Sequence, residues 1–205
     1  MVYPELQKTL DALDWEQPRR GARAEALNKL IGVVKDAAHR GSTLNLNFIC
    51  THNSRRSHFS QIWARVAAVY FGFDKVQCYS GGTAETQVYP KVLDTLVQQG
   101  MQIKALSHSS NPVYAVKYEG DAMPMLSFSK LYDHPFNPEH NFSAIMVCTD
   151  ADEACPIIAG ANAKIQLPYT DPKISDGTPA QSDVYAACSL TIAQEMFYVF
   201  SKAKT

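Results

Sequence analysis

The stretch from Asn47 to Ala68, NFICTHNSRRSHFSQIWARVAA, passes from an apolar segment through a polar loop into an amphipathic run. The apolar segment begins at Leu44 and ends on Cys50, and its length suits a buried strand. From Ser57 onward Phe59, Ile62, Trp63, Val66, Ala67 and Tyr70 recur at helical spacing, which predicts a helix with one buried face. Only THNSRR separates the two, so a strand feeds a helix through a tight loop. That is the opening half of a βαβ unit.

The pattern repeats downstream. KVQCYSGG, residues 75–82, reads as a second strand, YPKVLDTLVQQG, residues 89–100, as a helix, and a short strand follows Gly100. VYAVKY, EGDAMP and MLSFSKLY then read as strand, turn and strand, a β-hairpin inserted at about residues 112–132. FSAIMVC, residues 142–148, returns as a buried strand and AKIQLP, residues 163–168, as a last short one. A long helix closes the chain with Val184, Cys188, Ile192, Met196 and Val199 on one stripe. Upstream, Leu6, Leu10 and Leu13 precede a break at Pro18, and Leu27, Leu30, Ile31, Val34 and Ala38 form a second helical stripe ended by Gly41. The expected organisation is one α/β domain over residues 1–205. It has an N-terminal helical extension over residues 1–41 and a core over residues 42–205, built on a parallel sheet with helices on both faces.

A formal net charge of -1 over 205 residues argues against broad binding of nucleic acid or acidic membranes. No apolar run approaches the roughly 20 residues needed to span a bilayer, and the N-terminus has no continuous hydrophobic core of the signal-peptide kind. A cytoplasmic location is expected, where five cysteines act as free, catalytic or transiently oxidised thiols rather than as structural bridges.

The loop carries the chemistry. In a parallel sheet it opens at the carboxyl edge, where ligands of such folds bind. The helix N-terminus beyond it offers unpaired N–H groups and the positive end of a dipole, which suits a tetrahedral oxyanion. Arg56 adds a planar fork for two anion oxygens, and Cys50 lies where this field favours the thiolate. Ser57 can hydrogen-bond the same sulfur, and Asn53 can brace the loop or take up a left-handed backbone conformation. The expected oxyanion cradle is Thr51, His52, Asn53, Ser54, Arg55, Arg56 and Ser57, with Cys50 as nucleophile. A buried cysteine that merely ends a strand is the plainer alternative, and the immediate Arg56-Ser57 sequel disfavours it.

Between the last strand and the last helix, LPYTDPKISDGT offers Asp171-Pro172, either an ordinary turn or a carboxylic acid poised over a bound anion. In IMVCTDADEACPI, Cys148 ends a strand and Cys155 follows seven positions later, across a short acidic segment. Zinc is a poor explanation, since no second ligand pair stands at structural-site spacing; no metal site is expected.

Cys50, Asn53, Arg56 and Ser57 in this order resemble the Cys-x5-Arg-Ser loop of the low-molecular-weight tyrosine phosphatases and of the related thioredoxin-coupled arsenate reductases. That resemblance implies a four-stranded parallel sheet, a cysteine nucleophile, and Asp171 as general acid. His52 stands where the family usually carries glycine, and Gln61 where some members have an acidic residue that helps bind a monovalent cation. Ser80, in CYSGG, falls at the family's second-strand serine. The run Cys148-Thr149-Asp150-Ala151-Asp152-Glu153-Ala154-Cys155-Pro156 resembles the redox segment of the reductases, which plain phosphatases lack, and Lys173 and Ile174 stand where phosphatases usually carry tyrosines. The resemblance covers about residues 44–107 and 142–203. It implies that Cys50 attacks arsenate, Cys148 then attacks Cys50, and Cys155 attacks Cys148. A thioredoxin-like dithiol would close the cycle, with no bound cofactor. Cys78 and Cys188 are expected in the core. The alternatives are a phosphatase of the same fold acting on phosphotyrosine or a small phosphoester, and a non-catalytic oxyanion or redox sensor.

Overall fold

The computed structural model describes residues 2–17, 19–149, 151 and 157–205. Pro18, Cys155 and the other residues between 150 and 156, apart from Ala151, lie outside them. In chain order the elements are α1 (Pro4–Asp11), α2 (Gly21–Arg40), β1 (Leu44–Cys50), α3 (Arg56–Tyr70), β2 (Val76–Gly82), α4 (Pro90–Gln98), β3 (Gln102–Ala105), β4 (Tyr114–Lys117), β5 (Met125–Ser127), β6 (Phe142–Met146) and β7 (Ala161–Gln166). A 3-10 turn (Pro172–Ser175) and α5 (Gln181–Lys204) follow.

Four strands pair in the order β2-β1-β6-β7, all parallel, so the central sheet is four-stranded and helix-flanked as expected. Its inner strand β1 is buried almost throughout, as a strand covered on both faces must be. The short strand after Gly100 departs from expectation: β3 leaves the parallel sheet and pairs antiparallel with β4, which pairs with β5. The hairpin thus recruits a third strand into a separate sheet.

α3 is buried nearly all round, because β1 and β2 lie on one side of it and α5 on the other. Trp63 is wholly buried and its indole N–H donates to Ser189 Oγ of α5 at 2.8 Å. Tyr70, expected on the buried face, is partly exposed where the helix end reaches solvent and stacks its edge on Trp15 and Phe197. On α5 the deeply buried face runs through Tyr185, Ser189, Ile192, Met196 and Val199, with Val184 and Cys188 half-buried beside it. On α2, Ala37 is the buried residue near the end and Ala38 is exposed; Gly41 caps the helix at φ 62°, in the left-handed conformation that favours glycine.

The N-terminal segment is tied to the rest at several points. The Tyr3 N–H donates to the Tyr118 carbonyl at 2.9 Å, and α1 lies so close to Gly100 that a Cβ there would sit 2.1 Å from the Leu6 nitrogen. Arg23 of α2 pairs with Glu195 of α5, donates to the Pro168 carbonyl at 2.8 Å, and covers the Tyr169 ring at 4.5 Å. No helix among the described residues is long and apolar enough to cross a membrane.

Candidate active site

Cys50 is the last residue of β1 and Arg56 the first of α3, so loop 51–55 wraps the carboxyl edge of the sheet in front of a helix N-terminus. Among the described residues, the main-chain N–H groups from Thr51 to Arg55 take no hydrogen bond. Five unpaired donors at a helix start form a concave positive site for an anion.

The loop closes because Asn53 adopts φ 43°. His52, where the glycine of the resemblance would stand, keeps an ordinary negative φ, so the left-handed residue is the asparagine, a type that tolerates it. Asn53 is fully buried and its amide is spoken for at both ends. Its Oδ1 accepts from the Lys130 main-chain N–H at 2.9 Å, and its Nδ2 donates to Ser57 Oγ at 2.8 Å. Ser57 Oγ, which accepts from Asn53, lies 3.1 Å from Cys50 Sγ, so hydroxyl and sulfur share a hydrogen bond.

His58, also fully buried, continues the bracing. Its Nε2 must donate to the Asn53 carbonyl at 2.8 Å, which leaves Nδ1 to accept from Ser127 Oγ at 2.8 Å. Burial, reinforced by the nearby Lys130 ammonium, lowers its pKa to about 3, so the imidazole is neutral. Residues 126–130 line the outer side of the loop. The Leu126 carbonyl accepts from Gln61 at 3.3 Å, Ser127 meets His58, Ser129 Oγ donates to the His52 carbonyl at 3.0 Å, and Lys130 meets Asn53. Gln61 is therefore engaged by the insertion. Gly82, at the end of β2, lies so close to the loop that a Cβ would sit 2.8 Å from the Asn53 nitrogen.

The two arginines divide their work. Arg55 turns away from the anion cradle: it pairs with Asp176 at 2.6 Å, donates to Tyr185 at 2.6 Å, and stacks on Tyr89 at 4.1 Å. Only its main-chain N–H is left for the cradle. Burial, and then its hydrogen bond to Asp176, push the Tyr185 phenol well above its ordinary range, so it serves as a neutral prop. Arg56 donates to Asp171 at 2.6 Å and to the Tyr169 carbonyl at 3.1 Å. The Asp171-Pro172 turn thus stands over the guanidinium, and Asp171 also accepts from the Lys173 N–H at 3.0 Å.

Cys148, two residues past the end of β6, is buried, and its Sγ lies 3.4 Å from Thr51 Oγ1. The second thiol is therefore lodged against the residue adjoining Cys50. Cys155 lies outside the described residues. Cys78 and Cys188 are half-buried and packed against the core, and burial raises the pKa of both thiols to about 12. An insertion at residues 112–132 within the sheet-forming part of the chain is expected to border the site or a partner surface, and residues 126–130 do border the loop; which of its residues make the contact has no local signal beyond the polar side chains of Ser127, Ser129 and Lys130.

A family model for the low-molecular-weight phosphotyrosine protein phosphatases matches residues 45–121. An arsenate reductase 2 of Staphylococcus epidermidis is 27% identical over 126 residues, which is 61% of this chain and 76% of the relative. A low-molecular-weight phosphotyrosine phosphatase from Vibrio cholerae O395 superposes with a TM-score of 0.53 at 16% identity, covering 77% of this chain and 95% of the other. A YwlE mutant from Bacillus subtilis gives 0.53 at 14% identity, covering 80% and 100%. At these identities the structures speak to the fold.

Proposed function

We propose that this chain, which is similar to the low-molecular-weight phosphotyrosine protein phosphatases over residues 45–121 and to an arsenate reductase over 126 residues, is an enzyme that reduces arsenate, with Cys50 as nucleophile and Cys148 and Cys155 as a thiol relay. The observation that carries this reading is the position of Cys148, whose sulfur touches the oxyanion loop at Thr51. Reduction needs a thiol there to resolve the Cys50 adduct, and phosphoester hydrolysis does not.

In this reading the loop amides and Arg56 hold the arsenate. The incoming anion competes with the Asp171 carboxylate for the guanidinium, so binding frees Asp171 to carry a proton. The Cys50 thiolate attacks arsenic, one oxygen leaves as water with the proton from Asp171, and a covalent cysteine–arsenic(V) adduct forms. The Cys148 thiolate then attacks Cys50 Sγ. The sulfur–arsenic bond breaks, its electron pair reduces arsenic(V) to arsenite, and a Cys50–Cys148 disulfide remains. Cys155 attacks Cys148 in turn, regenerating the Cys50 thiolate, and a dithiol protein of the thioredoxin type reduces the resulting Cys148–Cys155 disulfide.

Phosphoester hydrolysis is the second reading, because Cys50, Arg56 and Asp171 would serve a phosphoryl group equally well. Turnover of arsenate with thioredoxin and its reductase, run beside hydrolysis of an aryl phosphate, tests both. Cys50→Ser should abolish both activities. Cys148→Ser and Cys155→Ser should each stop multiple-turnover reduction and spare hydrolysis, with the Cys50–Cys148 disulfide accumulating only when Cys155 is replaced. Parent-like arsenate reduction by both variants would overturn the relay and leave the phosphatase.

A further inference from the structure

Lys130 is a residue that none of this chemistry uses, and it sits in an unusual place. Its side chain is wholly buried, and among the described residues it forms no ion pair. Nζ lies 3.4 Å from Ser80 Oγ and 3.3 Å from the Phe128 carbonyl, and the rings of Phe128 and Phe136 stand 4.4 Å and 5.4 Å away. Two dipoles and two π-faces are what a chain can offer a buried cation without a carboxylate. Such burial is costly, and a chain that merely needed volume here would place methionine or leucine.

The main chain at the same residue faces the oxyanion loop. Its N–H orients Asn53, and through Asn53 and Ser57 the Cys50 sulfur, while its carbonyl accepts from the Gly82 N–H at 2.9 Å. We propose that Lys130 is a positioning residue for the oxyanion loop: its side chain, anchored on Ser80 and on the Phe128 carbonyl, places a titratable positive charge behind the cradle and holds residue 130 in register with Asn53. This deepens the proposed function and rests on its reading of Cys50 as nucleophile. The absence of a counter-ion is the point of the arrangement. A carboxylate at Lys130 would cancel the charge, whereas serine, carbonyl and phenyl groups leave its field to act on a bound anion. The titratable neighbour on α3 is His58, which is neutral and adds no competing charge. Desolvation lowers the Lys130 pKa to about 7, so the charge is present in acid solution and fades above neutrality.

The test compares the full chain with Lys130→Met, an uncharged side chain of similar length, both in a His52→Gln background so that the loop's own imidazole adds nothing to the pH dependence. Sulfate, a dianion throughout, is the probe, and its affinity is read as protection of Cys50 from iodoacetamide at pH 6 and pH 8.5. At pH 6 the variant should bind sulfate at least tenfold more weakly, and at pH 8.5 the two should agree within about twofold. Thermal stability should move the other way. The parent must keep a proton on a buried amine below pH 7, whereas an unfolded lysine holds its proton up to about pH 10. Parent stability therefore gains as pH rises from 7 toward 10 relative to the variant, and Lys130→Met should be the more stable protein at pH 6. Equal sulfate protection at pH 6, or a loss of the same size at both pH values, would overturn the proposal, the latter making Lys130 a structural prop alone. Should the variant fail to fold, the chain carrying His52→Gln and Cys50→Ser together, whose cradle holds neither imidazole nor thiol, must still show sulfate affinity falling through pH 7 by titration calorimetry; a flat profile there overturns the proposal equally. Turnover retained in Cys50→Ser would instead refute the nucleophile, so the two failures are distinct.

Discussion

Replacing Asn53 by alanine isolates the joint between the oxyanion loop and the insertion. The substitution deletes the acceptor of the Lys130 N–H and the donor to Ser57 Oγ, both in fully buried surroundings. An orphaned buried main-chain donor costs about 1–3 kcal/mol. Alanine at φ 43° adds roughly 1 kcal/mol, because a Cβ crowds the following carbonyl in the left-handed region and alanine has no side-chain amide to offset it. The sum is about 2–4 kcal/mol. Asn53→Gly removes the same two hydrogen bonds but tolerates the backbone, so it should be about 1 kcal/mol milder. Urea unfolding followed by far-UV circular dichroism gives the comparison, provided the three m-values agree. Alkylation of Cys50 at neutral pH should change in both variants, since Ser57, the hydrogen-bond neighbour of the sulfur, loses the partner that holds it in place. Asn53→Ala within 1 kcal/mol of the parent would refute the claim that this amide holds the loop, and alanine matching glycine would refute the backbone argument.

Arg56→Lys should weaken oxyanion binding at least tenfold, because an ammonium cannot span the Tyr169 carbonyl, Asp171 and two anion oxygens; near-parent sulfate protection of Cys50 would place the anion elsewhere. Asp171→Asn should slow turnover by about 10²–10⁴-fold, the range of a positioned general acid, while keeping or improving anion affinity, since Arg56 is released from an ion pair. Unchanged rates on a substrate with a poor leaving group would reduce Asp171 to a turn residue. Arg23→Ala leaves the buried Glu195 carboxylate without its partner and should cost about 3 kcal/mol or more, seen as a lower unfolding midpoint; a loss below 1 kcal/mol would show that the N-terminal segment is not fastened there.

What could be read from the sequence was set by local periodicity. The apolar run to Cys50 and the spacing of Phe59, Ile62, Trp63 and Val66 demand a strand and a helix whatever surrounds them, so the loop between them was fixed in place. Two kinds of feature were not legible. One is orientation at helix ends: Tyr70, Ala38 and Val184 match a stripe by spacing, yet the neighbour that would cover them runs out. The other is long-range pairing. β3 follows a helix as a parallel strand would, and only the presence of β4 diverts it into another sheet. The Lys130–Asn53 contact joins positions 77 residues apart, and no local pattern distinguishes a lysine at the end of a hairpin from a solvated one. Arg55 illustrates the same limit, because the partners that draw it from the cradle come from the distant Asp176 and Tyr185.

The limb that follows the hairpin has a consequence for how the molecule behaves among its own copies. β2 is an outer strand of the parallel sheet, and its last residues are Gly81 and Gly82. Leu131 bridges to Gly82, Tyr132 N–H donates to the Gly82 carbonyl at 2.9 Å, and Asn137 donates to the Ser80 carbonyl at 3.0 Å. The chain thereby occupies the hydrogen-bonding groups that an unprotected sheet margin would offer to a strand of another molecule. The limb approaches so closely that a Cβ on Gly81 would sit 2.4 Å from the Tyr132 Cα, so the glycine that permits the approach would, without the limb, leave a flat and bare margin. A shortened protein lacking residues 112–137 would then self-associate through β2 as its concentration rises, and the insertion guards against aggregation as much as it shapes the anion cradle.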